Sequence, residues 1–164
     1  MCYNVCMETS TQDLKFVDYD NNFSNELSTW INIEQQQGLT GLKDFVVVGD
    51  VELNKFLDFV QKEMGLDTKI AINSQNQTCG FVCYSETEKN HIHIECLGVN
   101  PTLRKMGIAK NLLISLKNKL TSENPDVTVT LAVKKTNIAG IRSFSKVATE
   151  YEPASSENYI GLQL

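Results

Sequence analysis

Apolar residues recur along this chain at two spacings, and the spacings predict its helices and strands. Alternation over residues 14–20 predicts a first strand. Helical spacing follows over residues 23–37 and again over residues 51–65. Asp50 is the expected N-cap of the second helix, and Gly65 is its expected C-terminal stop. The apolar stripe of that second helix consists of Leu53, Phe56, Leu57, Val60 and Met64.

Three further strands are predicted next, over residues 68–74, 78–85 and 90–99. The turn-forming residues 75–77 separate the first two of these strands, which predicts a hairpin. A helix follows the third strand and carries a buried stripe of its own. That stripe consists of Ile108, Leu112, Leu113, Leu116 and Leu120.

The last part of the chain alternates between strand and helix patterns. Residues 127–133 are rich in β-branched side chains, which is typical of a central strand. Residues 137–148 predict a weaker helix and residues 159–164 a closing strand, with one more short strand near residues 149–153. This order indicates an α/β fold in which six to seven strands form a mixed, mostly antiparallel sheet flanked by about four helices.

The length and composition of the chain suit one domain. Its 164 residues are 41% hydrophobic, which is enough to build a core. We expect residues 1–12 to form a flexible tail and residues 13–164 to form the domain.

Charge and cysteine usage exclude several classes of protein. The formal net charge of −5 argues against nucleic acid as a partner. No apolar run is long enough for a membrane span, and the first residues lack the basic and apolar regions of a secretory signal. The five cysteines are an odd number and fit small buried thiols better than a disulfide framework. We therefore expect a cytoplasmic protein that does not contact membranes.

A basic stretch that contains one glycine lies between a predicted strand and a predicted helix. Residues 97–110 read LGVNPTLRKMGIAK. The first turn of a helix has unpaired N–H groups and a partial positive charge, and Gly107 would let a phosphate approach them. Arg104, Lys105 and Lys110 add full positive charges. Two interpretations follow: a cradle for a pyrophosphate, or an ordinary helix start with solvated basic side chains.

The same stretch resembles motif A of the GNAT superfamily, the acetyl-CoA-dependent N-acyltransferases. The family motif has Arg or Gln, then Gly three residues later, then Gly or Ala two residues after that. Arg104, Gly107 and Ala109 match it. The predicted order of strands and helices also resembles that of the family, so the resemblance covers residues 13–164 and implies a GNAT fold without identifying a subfamily.

The resemblance implies where acetyl-CoA would bind. In the family, the pantetheine arm pairs with the main chain at the end of the motif A strand, which is Leu97, Gly98 and Val99 here. The Leu97 N–H would face the thioester carbonyl oxygen, where it would stabilise negative charge during acyl transfer. The pyrophosphate would lie on the amides of Arg104, Lys105, Met106, Gly107, Ile108 and Ala109.

A second family feature lies in the last predicted helix. Asn137 matches an asparagine that contacts the cofactor arm, and Lys146 matches a lysine of the family pattern. Phe144 stands where the family commonly has a tyrosine that protonates the leaving thiolate. Phenylalanine has no proton to donate, so packing against the pantetheine is the role left for Phe144. Tyr151 or Tyr159 could substitute as the acid, and a structural role is the alternative for both.

An amine acceptor needs a base, because a protonated amine is not a nucleophile. The period of a strand places His91, His93 and Glu95 on one face. Glu95 is the first candidate because it precedes Leu97 by two residues and several family members keep a carboxylate near this point. His93 is the second candidate, and a solvated sheet face is the alternative for all three. The opposite face, which we expect to be core, carries Ile92, Ile94 and Cys96.

The same three polar residues also suggest a metal trio. Alternate residues on one strand lie about 6.8 Å apart, which is too far for three ligands to converge easily, and we expect no metal.

The resemblance implies an N-acetyltransferase that moves the acetyl group of acetyl-CoA to a primary amine by direct attack in a ternary complex. The acceptor would be a small molecule or a peptide, and the donor could carry a longer acyl chain. The alternative is a CoA-binding module of the same fold with weak or lost catalysis, which the phenylalanine at position 144 favours. A homodimer is a further expectation from the family.

Overall fold

The computed structural model describes residues 14–23, 26, 27, 30 and 53–164. The expected tail at residues 1–12, the N-cap Asp50 and most of the predicted helix at residues 23–37 lie outside the described residues. Within that predicted helix, Leu27 and Trp30 are helical and buried.

Seven strands and three helices are fully bounded in the described part of the chain. The strands are β1 Lys15–Asp18, β2 Asp67–Ile72, β3 Thr78–Glu88, β4 His91–Val99, β5 Thr128–Lys134, β6 Thr149–Glu150 and β7 Tyr159–Gln163. The helices are α1 Leu53–Lys62, α2 Ile108–Glu123 and α3 Ile138–Phe144. None of the described helices has the length and apolar character that crossing a membrane requires.

The strands form a single mixed sheet. Their order is β1-β2-β3-β4-β5-β7-β6. The neighbours β4 and β5 run parallel, and the other neighbouring pairs run antiparallel. The predicted fold class, the strand count and the hairpin of β2 and β3 are therefore confirmed.

Apolar side chains cover both faces of the sheet. On one face, α2 buries the predicted stripe, and Leu113 and Leu116 pack in one cluster with Ile94 and Leu131. On the other face, α1 contributes Leu57 and Val60 of its predicted stripe to a second cluster. The members of that second cluster are Tyr19, Leu27, Trp30, Leu57, Val60, Leu66, Ile70, Phe81 and Cys83.

The end of α1 departs from the prediction in one respect. Gly65 has a φ of 66° and reverses the chain, and the Leu66 N–H donates to the Val60 carbonyl at 3.0 Å. The glycine stop is therefore confirmed. Met64, however, lies after the last helical residue and is 46% exposed, so its predicted place in the buried stripe is wrong.

Candidate active site

The parallel strands β4 and β5 separate partway along their length. They pair from His91 opposite Thr128 to Ile94 opposite Leu131. Beyond that point, β5 pairs with β7, and β4 pairs with β3. An opening between the two strands begins after Ile94, at the carboxyl end of β4.

The main chain of β4 faces this opening at alternate residues. The Asn100 N–H donates to the Cys79 carbonyl of β3 at 2.9 Å. In an antiparallel ladder, residues that bond to the partner alternate with residues that face away from it. Gly98 therefore directs its main-chain groups toward β3, whereas Leu97 and Val99 direct theirs toward the opening. This is the orientation that pairing with an extended ligand requires.

Asn100 shapes the turn that follows β4, and sequence reasoning gave it no role. It is 6% exposed, and its Nδ2 donates to the Thr78 carbonyl at 2.9 Å. Its Oδ1 accepts from the Thr102 N–H at 3.0 Å and from the Thr102 hydroxyl at 2.8 Å. The asparagine-proline pair in the sequence was the available signal, since such pairs favour turns.

The loop between this turn and α2 contains two residues in the left-handed region. Lys105 has a φ of 64° and Gly107 a φ of 79°. Left-handed residues next to ordinary ones make successive N–H groups converge into a concave anion site. A Cβ built on Gly107 would meet no atom within 4 Å, so the space beside this loop is open.

The side chains of this loop lie in different environments. Arg104 is partly buried, and burial lowers the pKa of its guanidinium, which remains a cation at neutral pH. Met106 is 45% exposed, whereas Ile108 is buried in the core and Ala109 is partly buried. The main-chain N–H is thus the group that Ile108 can offer to a ligand.

Asn137 and Phe144 lie at the two ends of α3. The Asn137 Oδ1 caps the helix by accepting from the Gly140 N–H at 2.9 Å, which leaves the Nδ2 hydrogens for other partners. Phe144 packs against the core cluster that contains Leu113 and Leu116. The ring of Phe144 therefore contributes to the packing of α3 against the core.

A β-bulge in β4 changes which side chains share a face. Cys83 of β3 lies opposite Cys96, but the next residue, Tyr84, lies opposite Ile94, so Glu95 is the extra residue. Ile94 remains in the α2 cluster, whereas Cys96 packs with the α1 cluster. The expectation that Cys96 shares a face with Ile94 is wrong, because the bulge interrupts simple alternation.

The face opposite α2 carries the polar residues of β4. Ser85 of β3 lies opposite His93, and its hydroxyl donates to Glu95 Oε1 at 3.0 Å. The Thr130 hydroxyl of β5 lies 2.9 Å from His91 Nε2 and 3.0 Å from His93 Nδ1. His91, His93 and Glu95 therefore share one face. Sequence reasoning missed Ser85 and Thr130, which become neighbours of these residues only through strand pairing.

The thiol next to Glu95 is in its neutral form. Hydrogen bonding to the Cys83 thiol and burial raise the pKa of Cys96 well above its usual value, and the charge of Glu95 acts in the same direction. Thiols in such surroundings are poor nucleophiles. Among the residues that the structure describes, no group of three His, Cys, Asp or Glu side chains is arranged to hold a metal ion.

A strand edge open to an extended ligand, next to a concave anion site at a helix N-terminus, suits a thioester of coenzyme A. The pyrophosphate matches the loop amides and the nearby basic side chains, and the pantetheine amides match the free main-chain groups of β4. The fold and the site together thus define an acyltransferase of the α/β class.

Comparison with known proteins places the chain more narrowly. The sequence model of the acetyltransferase (GNAT) family matches residues 51–148, more than half of the chain. The protein therefore belongs to the GNAT family of acetyltransferases. A search of curated protein sequences finds no significant match.

Solved structures share the fold at low sequence identity. An aminoglycoside acetyltransferase AAC(6')-Ib in complex with coenzyme A and kanamycin has a TM-score of 0.70 and 14% identity, and the match covers 92% of this chain and 94% of that chain. A spermidine N-acetyltransferase from Vibrio cholerae in complex with CoA and spermine has a TM-score of 0.67 and 11% identity, with 93% and 95% covered. A GNAT acetyltransferase from Staphylococcus aureus Mu50 has a TM-score of 0.62 and 16% identity, with 92% and 97% covered.

Proposed function

We propose that the protein transfers the acetyl group of acetyl-CoA to a primary amine by direct attack in a ternary complex. The observation that carries the proposal is the opening between β4 and β5, because it exposes main-chain groups of Leu97 and Val99 next to the polar side chains of β4. Acetyl-CoA, when bound, supplies the acetyl group as a thioester.

The loop and the open edge of β4 would hold the donor in place. The amides of residues 104–109, with the charges of Arg104 and Lys105, bind the pyrophosphate, while Val99 pairs with the pantetheine amides. Asn137 donates to the same arm through the Nδ2 hydrogens that its capping bond leaves available. The Leu97 N–H points at the carbonyl oxygen and stabilises the negative charge that develops there during attack.

Glu95 is the base in this proposal. Its bond from Ser85 uses one carboxylate oxygen and fixes the side chain, which leaves the second oxygen free to take a proton from the acceptor ammonium. His93, on the same face, is the second candidate for this role.

The chemistry of the leaving group reduces the need for an acid. Thiols have pKa values of about 8.5, so a CoA thiolate can depart near neutral pH without a proton donor. A phenylalanine at position 144 is therefore compatible with turnover.

The acceptor class rests on charge and on similarity. A net charge of −5 and the Glu95 carboxylate favour a cationic acceptor such as a small polyamine, an amino sugar or a peptide amine. Two structures with this fold are complexes with spermine and with kanamycin, which are both amines. A homodimer and a cytoplasmic location remain predictions.

The decisive experiment measures thiol release from acetyl-CoA with a panel of amines. We expect release with one class of amine, and we expect Glu95→Gln to lower kcat by roughly 100-fold or more, since a positioned base contributes about 10²–10⁴-fold. Glu63→Gln, at an exposed position after α1, is the control and should leave the rate unchanged.

Two results would count against the proposal. Release that Glu95→Gln does not affect would remove Glu95 as the base, and the same assay on His93→Gln would then test the second candidate. Tight binding of CoA without release from any amine would favour the alternative, a CoA-binding module with weak or lost catalysis.

A further inference from the structure

The Thr130 hydroxyl lies between two imidazole rings. Its oxygen is 2.9 Å from His91 Nε2 and 3.0 Å from His93 Nδ1, and the residue is 1% exposed. His93 is directly opposite Thr130 in the parallel pairing, which brings its ring to that hydroxyl. These are the two histidines of the chain.

A hydroxyl has one proton, and this limits how both bonds can form at once. The oxygen can accept two hydrogen bonds but has one proton to give, so at most one ring nitrogen accepts from it and at least one donates to it. The described hydrogen bonds give the hydroxyl no third partner. When the hydroxyl proton is given to one ring, the other ring must donate, and the protonation of the two rings is then linked.

Two neutral arrangements use the hydroxyl proton in one of the two hydrogen bonds. If His91 donates from Nε2, Thr130 donates to His93 Nδ1, and both rings carry their proton on Nε2. If His93 donates from Nδ1, Thr130 donates to His91 Nε2, and both rings carry their proton on Nδ1. In either arrangement the two histidines hold the same tautomer.

Proton uptake follows the same logic. In the second arrangement His93 can accept a proton at Nε2 without breaking either bond. His91 cannot, because the lone pair on its Nε2 already accepts the hydrogen bond from Thr130. The charge can then move: the His93 Nδ1 proton passes to the Thr130 oxygen, and the Thr130 hydroxyl proton passes to His91 Nε2. Each step forms one N–H or O–H bond for each bond that it breaks.

We propose that Thr130 is a positioning residue that joins His91 and His93 into a pair that takes up a single proton, and that the pair receives the proton which Glu95 takes from the acceptor amine. The inference rests on the proposed function. Glu95 and His93 are two residues apart on one face, about 6.8 Å along the strand, a distance that one water can bridge.

The groups around the pair are consistent with an exit for the proton at His91. Tyr151 contacts His91 edge to face at a centroid distance of 6.4 Å, and the exposed Glu88 lies opposite His91 on β3. At the other end of the pair lies Glu95, next to the Cys96 thiol. His91 is itself partly exposed, so its Nδ1 can lose a proton to solvent.

The test combines nitrogen-15 NMR of the imidazole rings with kinetics on the full-length protein. We expect both histidines of the wild type to show the same tautomer, and Thr130→Val, which keeps the branched shape but lacks the hydroxyl, to make their tautomer populations independent. Thr130→Ser should restore the coupling. Thr128→Val is the matched control, two residues earlier on the same strand, and should retain it.

Turnover provides the second measurement. We expect Thr130→Val to lower kcat about tenfold, a part of the effect of a proton-transfer group, with KM for acetyl-CoA unchanged and kcat recovered in Thr130→Ser. Different tautomers in the wild type, or identical NMR spectra of wild type and Thr130→Val, would overturn the coupling. Unchanged turnover of Thr130→Val would overturn the role in proton transfer while acetyl transfer itself stood. Failure of the proposed function is distinct, because it shows in the wild type before any variant is made.

Discussion

The two halves of β4 differ in their neighbours, and the difference separates two tasks of the site. The first half, residues 91–94, pairs with β3 on one side and β5 on the other. After the bulged Glu95, the second half, residues 96–99, pairs with β3 and with no other described strand. In the proposed function, His91 and His93 of the first half would carry the proton and Glu95, at the junction, would take it from the acceptor. The main-chain groups that would pair with the ligand belong to the second half. The first half of β4 is thus held by strands on both sides, whereas one edge of the second half is available to a ligand.

The bulge at Glu95 lies at the junction of the two halves, and deleting this residue should have the largest effect on both of them. The pairs on either side, Tyr84 with Ile94 and Cys83 with Cys96, would become consecutive and the ladder regular. Bulges bend their strand and increase its twist, so the deletion should narrow the opening beside β5. We expect at least about 100-fold lower turnover and weaker CoA binding, measured by thiol release and calorimetric titration.

Glu95→Gln separates the two effects of that deletion. It removes the carboxylate but keeps the bulge, so we expect the loss of turnover with normal CoA affinity. Equal CoA affinity in the deletion and in Glu95→Gln would show that the bulge does not hold the strands apart.

The second half of β4 continues into the loop at Gly107, where a large side chain should block the anion site. We expect Gly107→Trp to weaken CoA binding by roughly 100-fold, the loss of about 3 kcal/mol of hydrogen bonds to charged groups, in a calorimetric titration. Gly65→Trp is a matched control, because Gly65 is also left-handed with open space around its Cβ. Both variants carry the same kind of backbone strain.

Similar losses of CoA affinity in Gly107→Trp and Gly65→Trp would refute the cradle. They would mean that strain and partial unfolding, rather than a filled phosphate site, reduce binding.

Most of the fold was predictable because its strands and helices have clear periods. The stripe of α2 and the alternation around the hairpin of β2 and β3 are local patterns, and the structure confirms both. The end of α1 is harder to predict, because the apolar spacing continues to Met64 although the helix ends at Lys62.

The arrangement of the candidate site follows from the sequence only where its residues are close along the chain. The loop from Arg104 to Ala109 is contiguous, and its left-handed Gly107 is visible as a glycine before a helix. Thr130 and Ser85 join the site through pairing between distant strands, which a single sequence does not specify. The bulge at Glu95 does not change the hydrophobic pattern, so the pattern predicts the wrong face for Cys96.

The close packing of Gly98 against Phe81 allows a test of the second half of β4 with a smaller expected effect. A Cβ at this position would lie 2.1 Å from Phe81 Cε1 and 2.6 Å from its Cζ, closer than atoms can approach. We expect Gly98→Ala to destabilise the protein by about 1–3 kcal/mol in denaturant unfolding, the usual cost of overpacking. Phe81→Leu removes the two nearest of the clashing ring atoms, so a double-mutant cycle should show a favourable coupling of the two changes. Strictly additive effects would contradict the contact.

Tyr84, opposite Ile94 at the bulge, should produce the smallest effect, confined to alkaline pH. Burial raises its pKa to about 12, and the residue is 5% exposed. An unfolded tyrosine ionises near pH 10, so above that pH the unfolded state loses its proton first. The stability contributed by this group is complete below pH 10 and declines as the pH rises toward 12. We expect Tyr84→Phe to gain at most about 1 kcal/mol relative to wild type between pH 9 and pH 11, measured by urea unfolding. Tyr151→Phe, at a partly exposed position, is the control and should lose stability with rising pH as the wild type does. If Tyr84→Phe lost stability in the same way, the ionisation of Tyr84 would not be the cause.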